Sequence, residues 1–381
     1  NELKAIAKSR VSRRSVLAGA GAIGAGSLLA ACGGGDKVDA NTVRWGNWTL
    51  YLDYDSDKKV YPTLEAFTKE SGVKVRYLED YNDNDEFYGK VQGQLKLNKD
   101  IGYDLFCPTD WMAARYIRLG YAQKLDKANI PNSKNILPAL ASVPYDTGRD
   151  FSLTWQGIMG GFTWNKEKLP KGVRTLDDLF APANKGKIEV LTELRDTVGV
   201  IMLAQGVDIT KFTADQYANA LDFLKKKIAD GYIRQVKGND YKEDLISGDA
   251  VACIAWSGDA FQLAAENDGK FEFAIPESGG TISADNFVIP STVTAETKPK
   301  VEKLINYYYD PVVAAKVAAY VNYITPVQGA QAAMEKIDPT LVDNELIFPS
   351  AKTQSKLHVF RNLTPAEETE FTDAFQKATG N

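Results

Sequence analysis

The segments TVRWG (42–46), VYPTLEAFTKESG (60–72) and VKVRY (73–77) decide the fold, because they predict a strand, a helix and a second strand in direct succession. Val60, Leu64 and Phe67 recur at helical spacing, and Gly72 ends the predicted helix. The flanking segments are rich in β-branched and aromatic residues, as strands are. This order predicts parallel strand pairing, with the helix packed on one face of the sheet.

The same alternation of strands and helices recurs along the chain, so we predict an α/β protein with mainly parallel sheets. Residues 120–186 interrupt it, since they are rich in Pro and Gly and show little periodicity. A second run begins near Lys187. Further strands are predicted at 103–107, 188–191, 233–236, 250–255, 271–275 and 287–290, and further helices near 87–95, 110–119, 197–204, 217–228, 298–309, 312–321 and 364–378.

The composition is that of a soluble globular protein of two or three structural units. The chain has 381 residues, 25% charged and 44% hydrophobic, with a net charge of −5 that argues against a nucleic-acid surface. His358 is the only histidine, which counts against histidine-dependent catalysis and common zinc sites. We therefore expect no catalysis, no cofactor and no metal. Cys107 and Cys253 lie in apolar runs and are predicted to be buried free thiols.

The first 31 residues are predicted to be an export signal. Basic residues precede an uncharged run, 16–31, that is too short and too rich in glycine to span a bilayer. SRRSVL (12–17) resembles a twin-arginine signal, and LAAC (29–32) resembles a bacterial lipobox. We expect cleavage before Cys32, a lipid on its thiol, a flexible tether over 32–41, and a mature protein held at the cell membrane outside the cytoplasm. A Sec signal with a chance cysteine is the alternative.

Aromatic residues and carboxylates follow the predicted strands, where ligands of open parallel sheets bind. Only one basic residue, Arg195, is among them. Tryptophan faces attract ammonium groups by ~0.5–2 kcal/mol, and carboxylates accept charge-assisted hydrogen bonds from N–H donors. The pattern therefore suits an organic cation with two or more amines. The residues after the strands include Trp48, Thr49, Tyr51, Thr109, Asp110, Trp111, Glu193, Asp196, Trp256 and Asp259, and Asp285 lies just before the predicted strand at 287–290.

Each of these residues also has a structural interpretation. Asp110, Asp196 and Asp259 stand where helices begin, so each could be only an N-cap. The tryptophans could serve packing alone, and Glu193 could form a surface pair with Arg195. The acidic stretch 80–86 lacks the turn glycine and spacing of a calcium loop, so we interpret it as a solvated loop that caps the next helix.

Several segments resemble those of the spermidine/putrescine-binding proteins of bacterial polyamine ABC importers. Their order and spacing agree over roughly residues 42–330. The resemblance implies a two-lobed, type II periplasmic-binding-protein fold, with a polyamine held between the lobes and delivered to the permease subunits of an importer. The segments are WGNWT (45–49), DLFCPTDWM (104–112), AWSGDA (255–260), DNFVIP (285–290) and YITP (323–326).

The resemblance also implies roles for individual residues. Glu193 and Asp196 correspond to the acid pair that holds amines from the second lobe. Trp256 corresponds to the tryptophan that stacks on the methylene chain, and Asp285 to the carboxylate at the lobe crossover that binds a terminal amine. The remaining implied ligand residues are Trp48, Thr49, Tyr51, Thr109, Asp110, Trp111 and Tyr323.

The family pattern implies the lobe boundaries as well. The first lobe is expected to comprise 42–157 and 285–326, and the second 158–284 and 327–381. Ser283 stands where the family often has an aromatic residue, which leaves the preferred polyamine open. We expect a monomer. The competing hypotheses are the same fold with another cationic or aromatic-stacked solute, and an exported hydrolase that uses two of the carboxylates as acid and base.

Overall fold

The computed structural model describes residues 39–380. The export signal, the lipobox and Cys32 lie outside this part of the chain. Ten strands are described: β1 Thr42–Trp48, β2 Lys74–Tyr81, β3 Leu105–Phe106, β4 Ser152–Asn165, β5 Ile188–Leu191, β6 Ile233–Lys237, β7 Ala252–Trp256, β8 Phe271–Ala274, β9 Gly280–Val288 and β10 Leu357–His358.

Thirteen α-helices pack around these strands. They are α1 Pro62–Ser71, α2 Asn84–Lys96, α3 Asp110–Arg118, α4 Leu176–Leu179, α5 Leu194–Ala204, α6 Ala214–Ala229, α7 Tyr241–Ser247, α8 Ser257–Glu266, α9 Lys298–Tyr308, α10 Pro311–Val321, α11 Ala330–Ile337, α12 Ala351–Gln354 and α13 Pro365–Thr379. Helix α1 confirms the prediction from the opening segments, because Gly72 ends it with a left-handed φ of 73°. Within the described residues, no helix is long and apolar enough to cross a membrane.

The sheet has parallel ends and an antiparallel centre. Strands β2, β1 and β3 pair in parallel at one end, and β7, β5 and β6 do so at the other. Strands β9 and β4 join the two ends, and each runs antiparallel to its neighbours on the main path of the sheet. The α/β class and the two parallel units agree with the prediction.

Strand β4 is the largest departure from the predicted elements, since no strand was predicted over 120–186. Its 14 residues are all buried. A strand buried on both faces carries no alternation of polar and apolar residues, and the glycines at 157, 160 and 161 further weakened its signal. Strand β9 was also predicted wrongly as 287–290, so Asp285 lies inside a strand rather than before one.

The predicted lobe crossings lie next to one another in the sheet. Gly157 of β4 pairs with Ala284 of β9. The amide of Gly157 also donates to the Ile324 carbonyl at 2.8 Å, and the Ile324 amide donates back at 3.0 Å. Residues near 157, 285 and 324 therefore form one narrow region, where strands β4 and β9 pass between the two ends of the sheet.

The C-terminal segment passes from the first unit of the sheet to the second after residue 327. Helix α11 packs on α10, and Val327 bridges Ile136, so this stretch stays beside elements expected in the first lobe. Strand β10 then pairs with Gly280 and Thr281 of β9, and α13 packs on α6. The chain therefore returns to the second unit only by Leu357.

Candidate functional site

A cavity lies between the two units of the sheet, beside the strands that join them. It encloses about 490 Å³ of space free of protein atoms, part of it open to solvent. All predicted ligand residues except Asp110 and Trp111 line it: Trp48, Thr49, Tyr51, Thr109, Glu193, Asp196, Trp256, Asp285 and Tyr323. The structure thus brings together residues that lie up to 275 positions apart along the chain.

Asp285 is held rigidly at the antiparallel centre of the sheet. The Thr109 hydroxyl donates to its Oδ1 at 2.7 Å, and Asn84 Nδ2 donates to the same hydroxyl at 2.8 Å. The Tyr51 hydroxyl lies beside this carboxylate and is buried without a hydrogen bond of good geometry. Asp285 is only 1% exposed, and burial raises its pKa to about 8. A cation bound beside Asp285 would lower this pKa and so favour the ionised form of the carboxyl group.

Glu193 and Asp196 lie on the opposite side of the cavity, at the start of α5. Both oxygens of Asp196 accept hydrogen bonds, one from Trp256 Nε1 at 2.8 Å and one from the Thr281 hydroxyl. Glu193 caps α5 by accepting from the Arg195 amide at 3.2 Å. Burial raises the pKa of Glu193 to about 7, although the Arg195 guanidinium opposes this. Asp196, expected as a possible cap, therefore does not cap α5; Glu193 does, and its pair with Arg195 is largely buried rather than at the surface.

Two tryptophans supply the apolar part of the cavity. Trp48 and Trp256 have ring centroids 6.1 Å apart at an interplanar angle of 69°. Trp48 is fixed by donating Nε1 to the Cys107 carbonyl at 2.9 Å, and Trp256 by its bond to Asp196. Their rings are therefore oriented before any ligand arrives, which reduces the entropy lost on binding. Cys107 and Cys253 are buried and unbridged, as predicted.

Asp110 and Trp111 do not line the cavity, but their side chains form hydrogen bonds with residues that line it or adjoin the lining. Asp110 accepts from the Ala284 amide at 2.9 Å, from Asn286 Nδ2 at 2.9 Å and from the Tyr145 hydroxyl at 2.5 Å. Its carboxylate therefore ties α3 to β9 next to Asp285. Trp111 donates Nε1 to Glu193 Oε2 at 2.9 Å. This bond links the two sides of the cavity.

Several lining residues were absent from the predicted ligand set. Asp83 comes from the acidic stretch interpreted as a capping loop, and it does cap α2, but its second oxygen accepts from the Thr192 hydroxyl at 2.7 Å. Asp259 follows β7, where position alone could have identified it. The amide Asn239 and the apolar Ile158 carried no recognisable signal. The additional lining residues are Asp83, Asn84, Ile158, Asn239, Asp259 and Ser283.

The cavity is strongly acidic. Five carboxylates line it, and no cationic side chain from the described residues does. Two cations touch these carboxylates from outside: Arg195 lies 3.4 Å from Glu193, and Lys242 lies 3.0 Å from Asp259. Within residues 39–380 no group of His, Cys, Asp and Glu side chains is arranged to hold a metal ion. The arrangement can bind a cation that spreads its charge over several points.

Two α/β units joined by crossing strands, with a polar and aromatic cavity between them, define a two-lobed solute-binding protein. Residues 63–348 match the family of bacterial extracellular solute-binding proteins. The chain belongs to this family.

Proteins with related sequences and structures agree with this classification. The spermidine/putrescine-binding periplasmic protein of Escherichia coli K12 is 28% identical over 332 residues, covering 87% of this chain and 90% of that protein. The putrescine-binding periplasmic protein PotF of the same organism is 26% identical over 371 residues, covering 93% and 95%. The spermidine/putrescine substrate-binding protein PotD of Streptococcus pneumoniae shares the fold, with a TM-score of 0.70, 23% identity and coverage of 88% and 98%.

Proposed function

We propose that this protein captures a polyamine of the spermidine or putrescine type between its two lobes and delivers it to an ABC importer, without catalysis. The acidic cavity carries this proposal. Five carboxylates and two oriented tryptophans line a space that contains no cation from the described chain. A linear polyamine offers ammonium groups for the carboxylates and methylene groups for the rings. The names of the E. coli relatives point to the same ligands.

The geometry supports a proposed role for each of the main lining residues. Asp285 meets one ammonium group, because it is buried, is fixed by Thr109 and contacts no cationic side chain among the described residues. Glu193 and Asp196 meet amines on the other side, and Trp48 and Trp256 pack against the methylene chain. Tyr51 and Tyr323 close one wall as an edge-to-face pair, with ring centroids 5.0 Å apart.

The lobes close around the ligand by bending where strands β4 and β9 cross between them. The first lobe comprises residues 42–157 and continues from 285, and the second comprises 158–284. The mutual pairing of Gly157 with Ala284 and Ile324 supports this division. The packing of α11 on α10 extends the first lobe beyond 326, and the second lobe resumes by Leu357.

The mature protein is anchored outside the cytoplasm by a lipid on Cys32 and works as a monomer with the importer's permease subunits. The lipobox LAAC (29–32) after an uncharged run supports the anchor. A Cys32→Ala variant should remain uncleaved or leave the membrane fraction. Wild-type processing and membrane retention of this variant would contradict the anchor.

A thermal-shift panel tests the proposed ligand class. Spermidine and putrescine should raise the melting temperature, since a ligand at 100 times its Kd stabilises the folded state by about 2.7 kcal/mol. A neutral diol of similar length and a neutral sugar serve as controls, because they lack the ammonium groups. Stabilisation by a sugar and none by either amine would contradict the proposal. Turnover of a glycoside by the purified protein would contradict the absence of catalysis.

A further inference from the structure

One carboxylate of the cavity is already paired with a buried lysine. Lys242, on α7, places Nζ 3.0 Å from Oδ1 of Asp259 and donates to Asn239 Oδ1 at 2.6 Å. Oδ2 of Asp259 accepts from the Tyr241 hydroxyl at 2.9 Å and from Asn239 Nδ2 at 3.1 Å. Lys242 is 8% exposed and Asp259 2%. This carboxylate is therefore nearly saturated by protein donors, although it lines the cavity.

Asp285 shows the opposite arrangement. Its hydrogen-bond donor is a neutral hydroxyl, and no cationic side chain among residues 39–380 pairs with it. A ligand ammonium can therefore neutralise Asp285 directly, whereas at Asp259 it would have to compete with Lys242. The two residues lie in the same cavity but differ in the charge that they offer.

We infer that Lys242 sets the net charge of the cavity and thereby the number of ammonium groups preferred in the ligand. The inference rests on the proposed function. Five lining carboxylates against Arg195 and Lys242 leave three negative charges when all groups are ionised. Without Lys242 the cavity gains one negative charge, and Asp259 Oδ1 becomes free to accept a ligand N–H. The gain in attraction grows with each charge that the ligand carries.

Calorimetric titration of Lys242→Gln with putrescine, spermidine and spermine tests this inference. We expect affinity to rise in the order of ligand charge, with the ratio of spermine to putrescine affinity increasing by about tenfold or more, as for a new hydrogen bond to a charged group. Lys237→Gln is the matched control, because Lys237 pairs with Asp244 and Asp240, which do not line the cavity. Its selectivity should equal that of the wild type.

The double variant Lys242→Gln/Asp259→Asn separates charge from packing, because it removes the pair and restores the wild-type net charge. It should return the order of affinities to that of the wild type. If Lys242→Gln is unstable alone, spermine should raise its melting temperature more than that of the wild type. The inference would be overturned if Lys242→Gln kept the wild-type selectivity, or if spermine raised the melting temperature of an unstable Lys242→Gln no more than that of the wild type. A wild type that binds none of the three amines would instead overturn the proposed function.

Discussion

At the residue scale, Asp285 shows what sequence position can and cannot predict. Its place at the crossover and its resemblance to a family carboxylate identified it as a ligand residue, and the structure places it in the cavity. The sequence did not indicate that this side chain is buried beside Thr109 and Tyr51. Burial depends on groups far away along the chain, which no local pattern reports.

The raised pKa values of the buried carboxyl groups predict proton release on ligand binding. Burial raises the pKa of Asp285 to about 8 and that of Glu193 to about 7, so near pH 7 the empty closed site holds protons on these groups. An ammonium ligand favours the ionised forms and expels these protons. Affinity should therefore increase as the pH rises from about 6 to about 8, while the ligand amines remain protonated.

Titrations with spermidine at pH 7 in phosphate and in Tris check this expectation, because these buffers differ in ionisation enthalpy. The apparent binding enthalpy should differ between them in proportion to the protons released. Equal enthalpies in the two buffers would contradict this expectation.

For the ligand-free protein, the pH dependence of the folding stability has the opposite sign to the pH dependence of the affinity. Asp285 and Glu193 bind more protons in the folded state than in the unfolded state between about pH 4 and pH 8, so their contribution to stability should fall as the pH rises through that window.

At the scale of secondary structure, local signals predicted the outer elements well and the central ones poorly. Helix α13 begins with a capping box between Thr364 and Glu367, as its sequence indicated. Strand β4 was missed because its partners, β7, β8 and β9, are distant along the chain. Asp110 was left open between cap and ligand, and its side chain does not cap α3. It bonds to Ala284 and Asn286, more than 170 positions away.

Gly160 of β4 should tolerate no side chain. A Cβ atom there would overlap the Thr281 hydroxyl and lie 3.0 Å from Asp196 Oδ1. Gly160→Ala should therefore cost about 1–3 kcal/mol in the free energy of unfolding, as overpacking does, and should weaken polyamine binding by displacing Asp196. Urea unfolding and calorimetric titration measure the two effects.

Gly93→Ala is the control for this substitution. Gly93 lies on the exposed side of α2, where a Cβ would meet nothing within 4 Å. The helix should gain about 0.5–1 kcal/mol from it, with unchanged affinity. Wild-type stability and affinity in Gly160→Ala would show that β4 does not constrain Asp196.

At the scale of the whole molecule, a cluster of charges joins the two sides of the cleft. Glu368 on α13 contacts Arg118 at 2.9 Å and Arg115 at 3.2 Å, both on α3, and lies 3.6 Å from Arg195 on α5. The Arg195 guanidinium also lies 3.9 Å from the ring centroid of Trp111. Under the proposed division these contacts cross between the lobes, so we expect them to break when the lobes open and to slow ligand release without touching the ligand.

Glu368→Gln should therefore speed the dissociation of spermidine. The expected loss is roughly 1 kcal/mol, or about fivefold in the dissociation rate, at the low end for charged contacts because Arg118 is partly exposed. Glu367→Gln is the matched control, since Glu367 pairs with Arg361 within the second lobe. Stopped-flow release should distinguish the two variants. Equal rates for Glu368→Gln and wild type would exclude the cluster from closure.

Asp285→Asn is the most direct test of polyamine binding by the carboxylates of the cavity, because it keeps the shape of the side chain and removes the carboxylate that would pair with an ammonium group. Calorimetric titration of wild type and variant with spermidine should show a loss of ~1.5–3 kcal/mol, the value of a hydrogen bond to a charged group, or roughly 10- to 150-fold in affinity. The melting temperature of the ligand-free variant should not fall at pH 7, because the buried carboxyl group of Asp285 holds a proton there and the amide that replaces it is also neutral. Wild-type affinity for spermidine in Asp285→Asn would contradict the account.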